Sequence, residues 1–313
     1  MLSLNRKLTK VYALDFQGQY IQNLIESRNI VLNSGIKIIV NKKTKHLKVS
    51  KANKKFIQTK LTDSRLKKAM LLTPKQQIRI INFIKAKLPS IHNEKTKIYQ
   101  FLKYIFITNG YDQLTVNDKR KFYSDLKVNT CVYCNRNYIF DIRENGHIKG
   151  HIDHFYPKAK YPYFAMNYFN FIPVCESCNK VKSEFDTTDT TKDIIHPYER
   201  NDERLFSVKV LGVNDFIYKL KADDLLQKLH IEKIYNTGHN DIIQDLYIKY
   251  FQQDTKEYFD SLRKSLINIG FDENEIHRFI SCGYLKNEDH HKRSMSKVIK
   301  DIREEFESLY DGK

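Results

Sequence analysis

The chain has 313 residues, a net charge of +17, 41% hydrophobic and 12% aromatic content. That composition excludes an intrinsically disordered chain and argues for a packed protein of two or three domains or subdomains. No run approaches the roughly 18 apolar residues of a membrane helix, so no membrane partner is expected.

The charge is unevenly placed. Residues 1–120 hold 25 Lys and Arg against 6 Asp and Glu, whereas the remainder holds 29 against 31. A basic first third suggests polyanion binding, with nucleic acid first in line. A solvated surface or a docking face for an acidic partner would give the same composition.

In chain order, residues 1–30 are mixed, and Val11 to Leu14 could be a short strand or the start of a helix. Residues 35–50 pattern as a hairpin around Asn-Lys-Lys-Thr-Lys. Lys42, Lys43, Lys45, Lys48, Lys51, Lys54 and Lys55 form the densest basic patch, for phosphate contact or simple solvation. Thr73-Pro74 signals a helix start, and Ile78, Ile81, Phe83, Ile84 and Leu88 recur at helical spacing. A second helix is predicted from about Lys95 to Thr108, ended by Asn109-Gly110, and a third near Asn117 to Leu126.

The central stretch, Cys131 to Phe185, predicts a strand over Asn137 to Arg143, a turn at Asn145-Gly146, and a return strand over His147 to His154. A loop, a short strand at Asn170 to Val174 and a helix over Glu176 to Phe185 follow. Thr187 to Asp193 patterns as a polar linker, and His196-Pro197-Tyr198 as a loop packed on the core. Strands are expected over Leu205 to Leu211 and Phe216 to Leu220. Helices are expected over Ala222 to Tyr235, Asn240 to Ile267, Glu273 to Ser281 and Ser294 to Tyr310. The predicted class is α+β, mainly helical, divided as 1–120, 121–200 and 201–313.

Five cysteines are present. Four form two Cys-x-x-C pairs, Cys131 with Cys134 and Cys175 with Cys178. The N-terminus lacks a continuous apolar signal segment, so a reducing, cytoplasmic compartment is expected, which favours metal over disulfides. Two such pairs supply four thiolates for a tetrahedral, closed, structural Zn2+. Cys282 is read as an ordinary thiol.

Between the pairs lie His-Ile-Asp-His-Phe-Tyr-Pro-Lys (151–158), then Asn170-Phe171-Ile172-Pro173-Val174-Cys175, then Cys178-Asn179-x-x-Lys182. This series resembles the HNH endonucleases of the ββα-metal type. Tyr-Cys-Asn-Arg-Asn-Tyr with Asp-His-Phe-Tyr-Pro-Lys resembles, more narrowly, the PtuB-like nucleases of the bacterial anti-phage systems Septu and related retrons. The resemblance is specific over about 55 residues, weakens across 186–313 and is absent from 1–120.

It implies a zinc-stapled ββα-metal core with His154 as general base and Asp153 and Asn179 as ligands of a catalytic Mg2+ or Mn2+. Asn170 would brace the loop and orient His154. Imidazole chemistry suits a base near neutrality, and hard oxygen ligands suit such an ion. Asn179 stands where His is commoner, which weakens that ligand. Lys158, Lys182 and Arg136 are candidate phosphate contacts, and His151 shares the strand parity of Asp153. The implied activity is phosphodiester hydrolysis in nucleic acid, DNA before RNA, in an anti-phage role with an ATPase partner subunit. The alternatives are an RNA- or tRNA-cleaving effector and a zinc-stapled binding module that does not cut.

Overall fold

Val11 to Leu14 belongs to a helix, α1 (Arg6–Ser34). Ala13, Tyr20, Leu24 and Val31 are buried along it at intervals of seven and four, one helical stripe. The computed structural model describes residues 2–40, 42–139, 141–142, 147–148, 150–189, 191–201, 203–212, 215–250 and 252–311.

A hairpin of β1 (Ile36–Val40) and β2 (Lys43–Leu47) follows, with Ile36 opposite Leu47. Gly35 enters it at φ +69°, and a Cβ there would lie 2.3 Å from the Leu47 carbonyl oxygen, so only glycine fits. Five helices come next: α2 (Lys51–Lys60), α3 (Asp63–Leu71), α4 (Pro74–Lys87), α5 (Lys97–Lys103) and α6 (Val116–Leu126). Each begins after a Ser or Thr. Ser50, Thr62, Thr96 and Thr115 accept backbone N–H bonds, and Gln76 reaches back 2.9 Å to the Thr73 N–H. After α5 the chain widens into a π turn, Tyr104–Thr108, closed by Asn109 N–H on the Tyr104 carbonyl.

The central strands depart from the predicted hairpin. β3 (Asp141–Ile142) pairs with β4 (His147–Ile148), and the expected Asn145-Gly146 turn lies outside the described residues. β5 (His151–His154) does not continue that pairing. It pairs antiparallel with β6 (Phe171–Val174), Asp153 opposite Ile172 and His154 opposite Phe171. Gly150 precedes β5, and a Cβ there would lie 2.5 Å from the Tyr123 hydroxyl. Helix α7 (Glu176–Lys182) follows β6 at once, so β5, β6 and α7 form one ββα unit. Thr187 to Asp193 is more than a polar linker: Thr187 and Thr188 are buried, and the Thr187 hydroxyl donates to the Phe155 carbonyl at 2.6 Å. His196 and Tyr198 pack into the core.

β7 (Phe206–Gly212) and β8 (Asp215–Leu220) form a further hairpin. Six helices complete the chain: α8 (Asp224–Lys228), α9 (Ile231–Gly238), α10 (Asp241–Tyr250), α11 (Gln253–Asn268), α12 (Glu273–Ser281) and α13 (Ser296–Asp311). The stretches predicted as single helices over 222–235 and 240–267 are each divided in two.

Helices therefore dominate, with four two-stranded antiparallel sheets among the described residues. One apolar core runs from Leu2 to Phe306, and a satellite of Leu266, Ile276 and Ile280 lies under α11 and α12. Among the described residues no helix is long and apolar enough to cross a membrane.

Candidate metal centre and the cleft beside it

The fold brings the two Cys-x-x-C pairs together, one from upstream of the ββα unit and one from its β6–α7 junction. Cys131 and Cys134 lie in a tight turn before β3, and Cys175 and Cys178 lie at the start of α7. Their four Sγ atoms are buried and all within 4.8 Å of one another. Zn–S bonds of about 2.3 Å in a tetrahedron place sulfurs ~3.8 Å apart, so the cluster fits one zinc ion with all four positions filled by protein.

Crowded into one buried site, the four thiols perturb one another's protonation. Burial pushes Cys131 up, and its hydrogen bond holds Cys134 down at about 7. Cys175 is held far below the usual thiol range and Cys178 far above it, each by its three sulfur neighbours. The Arg136 N–H points at the Cys134 sulfur, 3.4 Å away.

This knuckle is braced from the rest of the chain. Asn135, left-handed at φ 51°, bonds Thr130 Oγ1 and the His290 carbonyl through its amide nitrogen and accepts from the Lys297 N–H. Tyr235 donates to the Cys134 carbonyl at 2.8 Å, and the Leu2 N–H donates to the Val132 carbonyl at 2.7 Å.

The ββα unit also helps to wall a cleft of about 570 Å³, lined in part by His151, Asp153, His154, Lys158 and Asn179. Asp153 is buried within its wall. Its Oδ2 accepts from the Tyr133 hydroxyl at 2.6 Å, and its two oxygens lie 3.2 and 3.0 Å from Lys182 Nζ. Burial raises the Asp153 carboxyl above its ordinary value, with Lys182 and Tyr133 opposing that rise.

His154 is also buried. Its Nε2 lies 3.0 Å from the Ala165 carbonyl oxygen, which can only accept, so that nitrogen carries the proton. Nδ1 is then the bare, basic nitrogen, and it has no hydrogen bond among the described residues. Burial lowers the ring to about 3, with Lys158 and Lys182 acting the same way and the Ala165 bond opposing them. The ring packs edge-on against Tyr111, centroids 4.4 Å apart, and against Phe171 at 5.3 Å.

Asn170 is wholly buried and ties the loop after β5. Its oxygen accepts from the Tyr156 N–H at 2.8 Å, and its amide donates to the Tyr156 and Phe164 carbonyls. Phe164 precedes Ala165, so Asn170 holds the turn that orients His154. The half-buried Asn179 lines the cleft from α7, and its side-chain amide has no partner among the described residues.

Two expected phosphate contacts lie elsewhere. Lys182 is fully buried, with its ammonium engaged by Asp153 and by the His154 carbonyl at 2.9 Å. Packing the helix after Cys178 against β5 turns it inward. Arg136 is outside the cleft, close enough to Tyr235 and His239 for its charge to act on both. Lys158 does line the cleft, with Nζ 2.9 Å from Asp112 and 4.3 Å from the Tyr111 ring centroid.

Comparison with protein-family models, curated proteins and solved structures found no match. The site therefore stands on its own chemistry. An imidazole with one nitrogen locked and the other bare can take a proton. Asp153 and Asn179 line the same cleft and could hold a hard divalent cation, the Asn179 amide being unpartnered among the described residues and the Asp153 carboxylate already engaged by Lys182 and Tyr133.

Three contributors were not found in the sequence. Tyr133 lies between the first two cysteines, where the metal motif draws all attention. Tyr111 directly follows the Asn109-Gly110 helix stop, and Lys119 lies on a helix read as core. Both line the cleft from the basic first third.

Proposed function

We propose that this chain is a metal-dependent endonuclease of the HNH type that hydrolyses phosphodiester bonds in nucleic acid, DNA before RNA. The observation that carries the reading is the state of His154. Its Nε2 is fixed on the Ala165 carbonyl, its Nδ1 has no hydrogen bond among the described residues, and the residue lines the cleft that Asp153 and Asn179 also line. A general base needs that arrangement: a locked ring, a defined tautomer and a free lone pair.

In this reading Asp153 and Asn179 hold a Mg2+ or Mn2+ ion, which when bound supplies charge stabilisation at the phosphate and the departing oxygen. His154 takes the proton of the attacking water at Nδ1. Burial lowers the basicity of the free ring, and a bound polyanion would raise it again. Asn170 holds the loop that fixes the ring, so it acts by positioning. Lys119 and Lys158 lie where they can meet phosphates flanking the one attacked. The zinc held by the four cysteines has no open position and acts as a staple. An anti-phage role with an ATPase partner rests on the sequence resemblance alone, and a cytoplasmic setting on the cysteine pattern and the apolar-poor N-terminus.

One observation favours a second reading, a zinc-stapled nucleic-acid-binding module. Lys182 already neutralises Asp153 from inside the protein, as a site without a cation would require. Nicking of supercoiled plasmid in Mg2+, Mn2+ or EDTA, repeated with total RNA, separates the two. Cleavage that needs the divalent ion and falls by about 10²–10⁴-fold in His154→Ala supports the nuclease. A folded, zinc-loaded protein that binds DNA but cuts neither substrate, with or without candidate partners, supports the module.

A further inference from the structure

A second cavity, about 420 Å³, opens among α2, α3, α4 and α5, with none of the four clustered cysteines in its lining. Its walls are apolar, with Leu66 and Leu102 buried at its base and Phe83, 61% exposed, at its mouth. The charged side chains that line it are Lys60, Arg65 and Lys68, all cations, and no carboxylate lines it. None of the three forms an ion pair among the described residues. Elsewhere in the same third, Arg28, Lys75 and Lys85 each pair with a carboxylate. Arg65 does donate to the Thr59 carbonyl at 2.9 Å, but an apolar trough between helices, rimmed by cations with no carboxylate partner among the described residues, is complementary to one kind of partner surface.

We propose that this groove docks an acidic, amphipathic helical segment of a partner protein, its apolar side chains in the trough and its carboxylates on Lys60, Arg65 and Lys68. A small anion would not use the apolar walls, and a neutral apolar ligand would not use the cations. The groove also reaches the site. Tyr163 and Phe164 form part of its wall. The Phe164 carbonyl is held by Asn170, and the next carbonyl, that of Ala165, holds His154. A docked segment therefore presses on the turn that orients the imidazole. The docking does not depend on the nuclease reading, and its test reads binding rather than cleavage.

The test uses two synthetic helical peptides with the same leucine pattern, one with glutamate and one with lysine at the polar positions, titrated against the full chain. Dodecanoate and sedimentation of the free protein are run alongside. The glutamate peptide is expected to bind at least about tenfold more tightly than the lysine peptide. Arg65→Glu with Lys68→Glu should reverse that order, and Phe83→Ala should weaken both peptides alike. Both arginine and lysine are exposed, and Phe83→Ala alone keeps the test decisive if the double variant folds poorly. The His154 ring resonances should move when the glutamate peptide binds.

Equal binding of the two peptides, or none at roughly millimolar concentration, overturns the proposal. So does tight dodecanoate binding without peptide binding, which makes the groove an acyl-chain site. Self-association abolished by Phe83→Ala overturns it in favour of a second copy of this chain. Peptide binding that leaves the His154 resonances unmoved overturns the link to the site.

Discussion

The first 120 residues and the stretch from Cys131 to Phe185 use polar side chains in opposite ways. In the central stretch Asp153, Lys182, His154 and Asn170 are buried, and each is held by a named partner. In the first third, Lys42, Lys43, Lys45, Lys48, Lys51, Lys54 and Lys55 are exposed, and none forms an ion pair among the described residues. The contrast separates two kinds of sequence signal. A charge that faces inward is a statement about the fold, and removing it costs stability. A charge that faces water contributes little to stability and is available to something else.

The largest break in that contrast is loss of the metal. Structural zinc contributes on the order of 10 kcal/mol of apparent binding energy in small sites. Cys178→Ala, or prolonged chelation, should unfold the central unit, seen as loss of its near-UV signal and of one zinc per chain by elemental analysis. Retention of zinc and of cooperative melting in Cys178→Ala would contradict the four-thiolate site.

Next in size is the buried pair. Removing one partner of a buried ion pair costs about 3–5 kcal/mol because the other charge is left behind. Lys182→Met should show that loss in denaturant melts. Lys182→Met combined with Asp153→Asn should recover much of it, because no lone charge then remains. Equal destabilisation by the single and double variants would show that the pair matters only through packing.

A smaller effect appears with pH. His196 is buried against Phe155, ring centroids 4.1 Å apart, and burial holds its imidazole well below the usual range, with Lys182 adding to this. Above pH 6.5 the ring is neutral in both folded and unfolded chains, so it adds no pH dependence. Below that, only the unfolded chain takes up the proton, and stability falls by about 1.4 kcal/mol per pH unit for each such histidine. His196→Gln should flatten the stability curve between pH 6 and 4 by up to that slope. An unchanged slope would mean that His196 is reachable by solvent.

Much of this was legible in the sequence where the signal is local. Thr73-Pro74 marked α4, and Asn109-Gly110 marked the end of the helix before it. The spacing of the four cysteines marked the metal cluster, because each pair needs only one turn to aim two sulfurs at one point. What escaped depends on distant partners. The run from His147 to His154 alternates smoothly. Nothing local marks where it divides: β5 pairs with β6, twenty residues further on, and Gly150 lies where a side chain would meet Tyr123. Lys182 reads as a surface cation until α7 is packed on β5. α1 was hidden because apolar residues lie on its exposed face too, Val11, Leu14 and Ile30 among them, which blurs the buried stripe.

The smallest effect on stability is expected in the first third, and it tests whether those cations have a purpose. Replacing Lys43, Lys45, Lys54 and Lys55 with Ala should change stability by no more than about 0.5 kcal/mol each, since all four side chains are in water. If they track a nucleic-acid backbone, duplex binding should weaken. The slope of log K against log salt should then fall by about 0.9 for each lysine that meets a phosphate. The salt slope is the better readout, because a fold defect lowers affinity at every salt concentration without changing the number of counterions released. An unchanged slope would mean that the hairpin and α2 are merely solvated, and would leave Lys119 and Lys158 in the cleft as the contacts to test.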